Sequence, residues 1–283
     1  MPKAGRYRDG VPCWVELGTP DLPRARRFYG ALFGWEYVGL PGYTVATLRG
    51  AQVAGLVRRP AGEERSWTTY LAVTDVGRAA EEVRTAGGRV VREPFERPEQ
   101  GWAAVVADPT GAVFGLRQGL LWQGAGLVDE PSAFSWSEQL SPDPATARTF
   151  YRQVFGYEYG SGADGGTVFR VGGAVAGGIG GGHGADADRT GPTGRASASA
   201  SGSGSGSGSG GTNLGAAGPP AVWSVHFGTD DTDRAAERVR ELGGEVLAGP
   251  HPTPFGRRAA VRDDGGAEFT LIGLPSAEAT VAA

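Results

Sequence analysis

Cysteine is almost absent. Cys13 is the only one in 283 residues, so neither an intrachain disulfide nor a thiolate metal cluster can form. Lysine is as scarce: Lys3 stands alone near the amino terminus, which leaves Schiff-base chemistry without a candidate. Histidine occurs three times, as His183, His226 and His251. No apolar run reaches the ~18 residues of a membrane span. The first residues, MPKAGRYRDGVPCW, lack the apolar core of a secretory signal, so a cytoplasmic protein is expected. The 27 basic and 31 acidic residues leave a net charge of −4 with no strongly basic run. No nucleic acid and no membrane are therefore expected as partners.

What is abundant is glycine, at 50 residues, with 19 prolines beside it. Aromatic residues are also plentiful: 7 Trp, 8 Tyr and 11 Phe, in a chain that is 40% hydrophobic. A wholly disordered chain is poor in aromatics. The composition points to folded domains plus a Gly-rich segment, and the length suggests two domains.

The chain repeats itself. WVELGTPDLPRARRFYGALFGWEY, starting at Trp14, lies over WSEQLSPDPATARTFYRQVFGYEY, starting at Trp136, without a gap. Glu16 matches Glu138, Phe28-Tyr29 matches Phe150-Tyr151, and Gly34 matches Gly156. A second pair places Trp67 over Trp223, Asp75 over Asp231 and Gly87-Gly88 over Gly243-Gly244. The chain is a duplicated unit, and each unit has two related halves.

Each half reads as strand, helix, then strands. Residues 13–17 alternate as a strand does. Asp21 is a helix N-cap, and Pro23 sits in the first turn, where a missing N–H costs little. Ala25, Phe28, Tyr29, Leu32 and Phe33 follow helical spacing, and Gly34 suits a left-handed stop. Residues 43–48 and 52–57 read as strands. The second half gives a strand at 68–73, a helix at 76–86, and strands at 89–91, 103–107 and 113–117. The expected organisation is a first domain over 10–118, a connector over 119–132 and a second domain over 133–274. Residues 182–218 form a Gly/Ser-rich insertion in the second domain, expected to be disordered, and 275–283 a flexible tail.

A βαβββ module used four times, with DLxxAxxFYxxxFGW after the first strand and DPTGAVFGL at the end, resembles the vicinal oxygen chelate superfamily. That superfamily includes glyoxalase I, extradiol dioxygenases and bleomycin-resistance proteins. The tandem arrangement resembles glyoxalase-like "hydroxylase" proteins of actinobacteria. The resemblance implies an α+β fold of two tandem domains. In each, paired modules form a curved eight-stranded mixed sheet around a cavity, with helices outside.

The resemblance also implies where a divalent metal would be held by His and Glu. In the first unit those positions fall on Trp14, Thr68 and Gly115, and AQVAGLV carries no carboxylate. In the second they fall on Trp136, Ser224 and Thr270, and AVAGGIG carries none either. Such sites need imidazole and carboxylate, so no metal and no other cofactor is expected.

Residues two apart on a strand share a face. Trp14 and Glu16 would therefore face the cavity, as would Thr68 and Tyr70, Trp136 and Glu138, and Ser224 and His226. Such a lining suits a planar organic ligand held by stacking and a few polar contacts. The expected function is to bind, or to modify without a metal, a small aromatic or polyketide-like metabolite. Glu16, Glu138 and His226 are the candidate acid–base groups. Trp14, Thr68, Tyr70, Trp136 and Ser224 are the candidate ligand contacts. The partner is a small-molecule ligand or substrate, and the protein is a monomer or homodimer. Two other readings compete: a metal-dependent lyase or dioxygenase of the glyoxalase kind, and a non-catalytic scaffold whose cavities are filled by their own side chains. Each candidate also has a structural reading. Glu16 and Glu138 would pair with an arginine such as Arg26 or Arg148, the tryptophans would be core, and His226 would be a hydrogen-bonded core histidine. His251, in a Pro-rich loop, would sit at a cavity rim.

Overall fold

A computed structural model describes residues 7–60, 62, 65–163, 166–180 and 220–274. The Gly/Ser-rich insertion at 182–218 and the tail at 275–283 lie outside the described residues.

The first unit runs β1 (Pro12–Thr19), α1 (Leu22–Phe33), β2 (Glu36–Leu40), β3 (Tyr43–Leu48), β4 (Ala51–Arg58), β5 (Ser66–Ala72), α2 (Val76–Thr85), β6 (Arg89–Arg97), β7 (Gly101–Ala107) and β8 (Val113–Gly119). The second repeats the order: β9 (Phe134–Leu140), α3 (Pro144–Phe155), β10 (Glu158–Ser161), β11 (Thr167–Val171), β12 (Ala174–Gly180), β13 (Val222–Thr229), α4 (Thr232–Glu241), β14 (Glu245–Thr253), β15 (Gly256–Arg262) and β16 (Glu268–Gly273). Local chemistry sets the helix ends. Asp21, Asp75, Asp143 and Asp231 each accept a backbone N–H three residues on. Gly34 and Gly156 close α1 and α3 at φ 71° and 68°, a conformation that glycine adopts without strain.

Each unit folds into one mixed eight-stranded sheet, as expected. The strand orders are β2-β3-β4-β1-β5-β8-β7-β6 and β10-β11-β12-β9-β13-β16-β15-β14. In the first, β1 pairs parallel with β4 and antiparallel with β5, and β5 pairs parallel with β8. One rung across the centre joins Trp14, Tyr70, Gly115 and Val105. The next joins Gly55, Glu16 and Thr68. The second sheet has matching rungs, Trp136–His226–Thr270–Ala260 and Gly178–Glu138–Ser224. These rungs fix which side chains meet on the concave face. The outermost strand β2 was not among the strands read from sequence. It is an exposed edge without a buried alternation.

The opposite faces carry the helices and pack the two units together. One core joins Leu17, Phe28, Tyr29 and Trp67 to Phe227 and Phe269. The other joins Phe114 and Leu116 to Phe150, Tyr151 and Trp223. A hydrogen-bond chain crosses each. Trp67 Nε1 donates to the Tyr29 hydroxyl (2.9 Å), which donates to Asp263 of the second unit (2.9 Å). Its mirror runs from Trp223 to Tyr151 (2.7 Å) and on to Asp108 of the first unit (3.0 Å). Both aspartates also hold the backbone of their own turn, at Ala112 and Ala267. Each unit's last turn thus depends on the other unit's first helix. Removing either hydroxyl leaves a buried carboxylate one donor short. Tyr29→Phe and Tyr151→Phe should each lower stability by about 1–2 kcal/mol in urea unfolding. Two separate unfolding steps would contradict the shared core.

Candidate functional site

The first unit's concave face is filled. Trp14, Tyr43, Val45, Tyr70 and Ala103 form a buried cluster there, with Phe95 and Trp122 packed against it. Trp14 Nε1 donates to the Tyr43 hydroxyl at 2.9 Å. The Tyr70 hydroxyl donates to Glu16 Oε1 at 3.1 Å. Arg97 Nη2 lies 2.9 Å from Glu16 Oε1 and 2.7 Å from Oε2, and the Glu16 side chain is 4% exposed. Thr68, on the Glu16 rung, is buried as well. The cationic partner of Glu16 is therefore Arg97. Arg26 is excluded because helix α1 packs on the other face of the sheet, where Arg26 lies over the Tyr37 ring. Cys13, next to Trp14, is no nucleophile: burial pushes its thiol up to about 12.

The second unit puts smaller residues at the same places. Strand register sets His226 where the first unit has Tyr70, Ile272 where it has Arg117, and Gly166 where it has Tyr43. Trp136, Glu138 and Ser224 are only half-buried, and 27% of the Glu138 side chain is exposed. Around Glu138 Oε2 stand His226 Nε2 at 3.9 Å and Arg258 Nη1 at 3.8 Å. Those distances allow electrostatic attraction but not hydrogen bonds. Among the described residues, His226 Nδ1 and Arg258 Nε are buried without a partner. The Trp136 and Phe255 rings lie near-parallel, 24° apart with centroids at 6.1 Å, and Arg258 sits 5.7 Å from the Phe255 ring centre. Beyond Phe255 a surface hollow of about 640 Å³ opens, lined by Asp230, Asp231, Pro254 and Leu274. His251 pairs across from Arg258 at the sheet edge and contacts the Gly249 carbonyl at 3.1 Å.

Of the residues singled out in the sequence, the structure gathers Trp14, Glu16, Thr68 and Tyr70 on one concave face. It gathers Trp136, Glu138, Ser224 and His226 on the other. Tyr43, Arg97, Arg117 and Trp122 were missed in the first unit, and Phe255 and Arg258 in the second. Strand parity alone could have found Arg258, two residues before Ala260 on the His226 rung. Arg97 was hidden, because β6 shifts register twice before reaching it.

Burial, and then the positive charge of Arg258, hold the His226 pKa well below 6.5. The folded imidazole stays neutral where the unfolded one takes a proton. Its contribution to stability is whole above pH 6.5. Below that it falls by about 1.4 kcal/mol per pH unit until the folded group protonates. Urea midpoints at pH 7 and pH 5.5 should therefore diverge less in His226→Gln than in the wild type. An equal divergence would assign the acid sensitivity to another group.

The donor sets do not fit the metal that the resemblance implies. A Cβ at Gly115 would overlap the Tyr70 ring, and one at Gly55 would overlap the Tyr43 hydroxyl, so neither place has room for a carboxylate. In the second unit, Trp136, Ser224, Thr270 and Gly178 stand at the ligand positions. Among the described residues no three of His, Cys, Asp and Glu gather closely enough to hold an ion. Also among them, no helix is long and apolar enough to cross a membrane.

Residues 14–117 match the glyoxalase-like domain family. Residues 134–271 match the glyoxalase/bleomycin resistance protein/dioxygenase superfamily. "Putative glyoxylase CFP32" of Mycobacterium bovis and Mycobacterium tuberculosis is 33% identical, over 96% of this chain and 98% of its own. The anthracycline biosynthesis protein DauV of a Streptomyces species is 32% identical, over 96% of each chain. In fold, the chain is similar to the Mn(II)-bound glyoxalase of Novosphingobium aromaticivorans. That match has a TM-score of 0.58 at 20% identity and covers 93% of this chain and 83% of that one. With two tandem domains of this type and full-length relatives above 30% identity, the chain belongs to the glyoxalase/bleomycin resistance protein/dioxygenase (vicinal oxygen chelate) superfamily.

Proposed function

We propose that the protein binds a small planar aromatic metabolite, without a metal, on the concave face of its second unit. The observation that carries this reading is the contrast between the duplicated glutamates. The Glu16 side chain is 4% exposed against Arg97, whereas that of Glu138 is 27% exposed and lies near a neutral histidine and an arginine. Trp136 and Phe255 offer flat apolar faces. Arg258 offers a positive charge to a ligand oxygen that carries negative charge. Glu138 and His226 are placed to exchange a proton with a ligand hydroxyl, which would let the same site modify what it holds. In this reading Glu16 is structural, and the acid–base role falls to Glu138 and His226. The DauV relative supports an oxygenated, polyketide-like aromatic as the ligand class.

The test is a fluorescence titration with 1,4-dihydroxyanthraquinone as the probe. Arg258→Met should weaken binding about tenfold or more, since a charge-assisted hydrogen bond is worth about 1.5–3 kcal/mol. Glu16→Gln should leave it unchanged. Equal affinity of wild type and Arg258→Met would remove the second-unit site.

A further inference from the structure

The first unit's closed face contains a cation without a counter-charge. Arg117 is 2% exposed. Among the described residues its one side-chain hydrogen bond, to the Gln100 carbonyl, is 3.5 Å long, and its Nε has no partner. Among the described residues no carboxylate lies within 4.0 Å of it, and Glu16 is taken by Arg97. What surrounds the guanidinium is aromatic. The Trp122 ring centre is at 4.4 Å and the Trp14 ring centre at 5.5 Å. A guanidinium buried in this way keeps much of its desolvation cost, and a carboxylate held by two parallel N–H bonds is its usual remedy.

Trp122 does not belong to the sheet. It comes from the connector and packs on Trp14 with centroids 4.9 Å apart. The backbone is pinned on either side, by Leu120 N to the Gln100 carbonyl (3.2 Å) and Ala125 N to the Cys13 carbonyl (2.8 Å). Gln123 Nε2 reaches back to the Gly119 carbonyl at 3.3 Å, and the leucines beside it face solvent. Leu120 and Leu121 are 67% and 74% exposed.

We propose that this face is a second ligand site, for a planar aromatic carboxylate, and that Trp122 holds the ligand's place when none is bound. An aromatic ring would take the position of the indole against Trp14, and its carboxylate would supply the partner that Arg117 lacks. The second unit has Ile272 in place of Arg117, and the sequence has no tryptophan after Trp223. The two units would thus hold their ligands through different residues, Arg117 in the first and Arg258 in the second.

The test uses the full chain with indole-3-acetate and its uncharged analogue 3-methylindole, read by calorimetric titration and thermal unfolding. Trp122→Ala should bind indole-3-acetate at least tenfold more tightly than the wild type does, and at least tenfold more tightly than it binds 3-methylindole. Arg117→Met should abolish the preference for the anion without lowering the unfolding midpoint, because it removes an uncompensated charge. Equal binding of the two probes by Trp122→Ala would overturn the proposal, and so would no binding by a folded Trp122→Ala. A fall in the Arg117→Met midpoint with the anion preference intact would also overturn it. If Trp122→Ala does not fold, the comparison moves to the wild type. Arg117→Met should then bind indole-3-acetate at least tenfold more weakly than the wild type, and equal affinity overturns the proposal. None of these outcomes touches the second-unit reading, which rests on other residues and another probe.

Discussion

Arg97→Met is expected to destabilise the protein by about 3–5 kcal/mol, the usual cost of removing one partner of a buried ion pair. Glu16 is enclosed by Trp14, Tyr70 and Thr68, and its other hydrogen bond comes from the Tyr70 hydroxyl alone. Without Arg97 the carboxylate keeps that single donor and loses its charge partner. The double variant Glu16→Gln, Arg97→Met should recover most of the loss, because the costly species is the unpaired charge and not the missing contact. Urea unfolding of the two single variants and the double variant gives the coupling energy. Additive losses would mean that Arg97 acts through its packing on the Tyr43 and Phe95 rings, 4.5 and 5.1 Å away, and not through Glu16.

Gly115→Ala is expected to cost about 3 kcal/mol. The added Cβ would overlap the inner carbons of the Tyr70 ring, not the far end of a flexible side chain. Tyr70 is 2% exposed and cannot retreat, since its hydroxyl is bonded to Glu16 and lies 3.4 Å from Arg97. Overpacking of a closed core usually costs about 1–3 kcal/mol, and the fixed ring puts this case at the upper end. Tyr70→Leu in the same chain should relieve the clash, so that Gly115→Ala costs less in that background than in the wild type. Equal cost in both backgrounds would place the strain elsewhere. The same geometry leaves no room for a glutamate side chain at position 115 while Tyr70 remains.

Much of the fold is legible in the sequence because its signals are local. The four aspartate caps, the glycine stops and the Phe-Tyr helices repeat in register, and each is a short-range feature. Strand parity was enough to put Trp14 with Glu16 and Trp136 with Glu138 on one face. His226 in the place of Tyr70 marks the units as different, but the different surroundings of the two glutamates were not legible. Glu16 and Glu138 stand in near-identical surroundings along the chain. What separates them is far away in sequence: Arg97 after two bulges in one unit, and Arg258 on β15 in the other. The choice of Arg26 as a partner for Glu16 failed for a related reason. Helix α1 covers the apolar side of β1, so its arginines cannot reach the concave face. Trp122 gave no signal at all, because a connector residue has no periodicity to betray what it covers.

The most direct measurement is a crystal structure of the protein with 1,4-dihydroxyanthraquinone bound. The predicted result is ring density stacked on the Trp136 side of the second unit's concave face, with a ligand oxygen within about 3.2 Å of the Arg258 guanidinium and Trp122 still packed on Trp14. Density for the probe on the first unit's concave face, with the second unit's face empty, would contradict it.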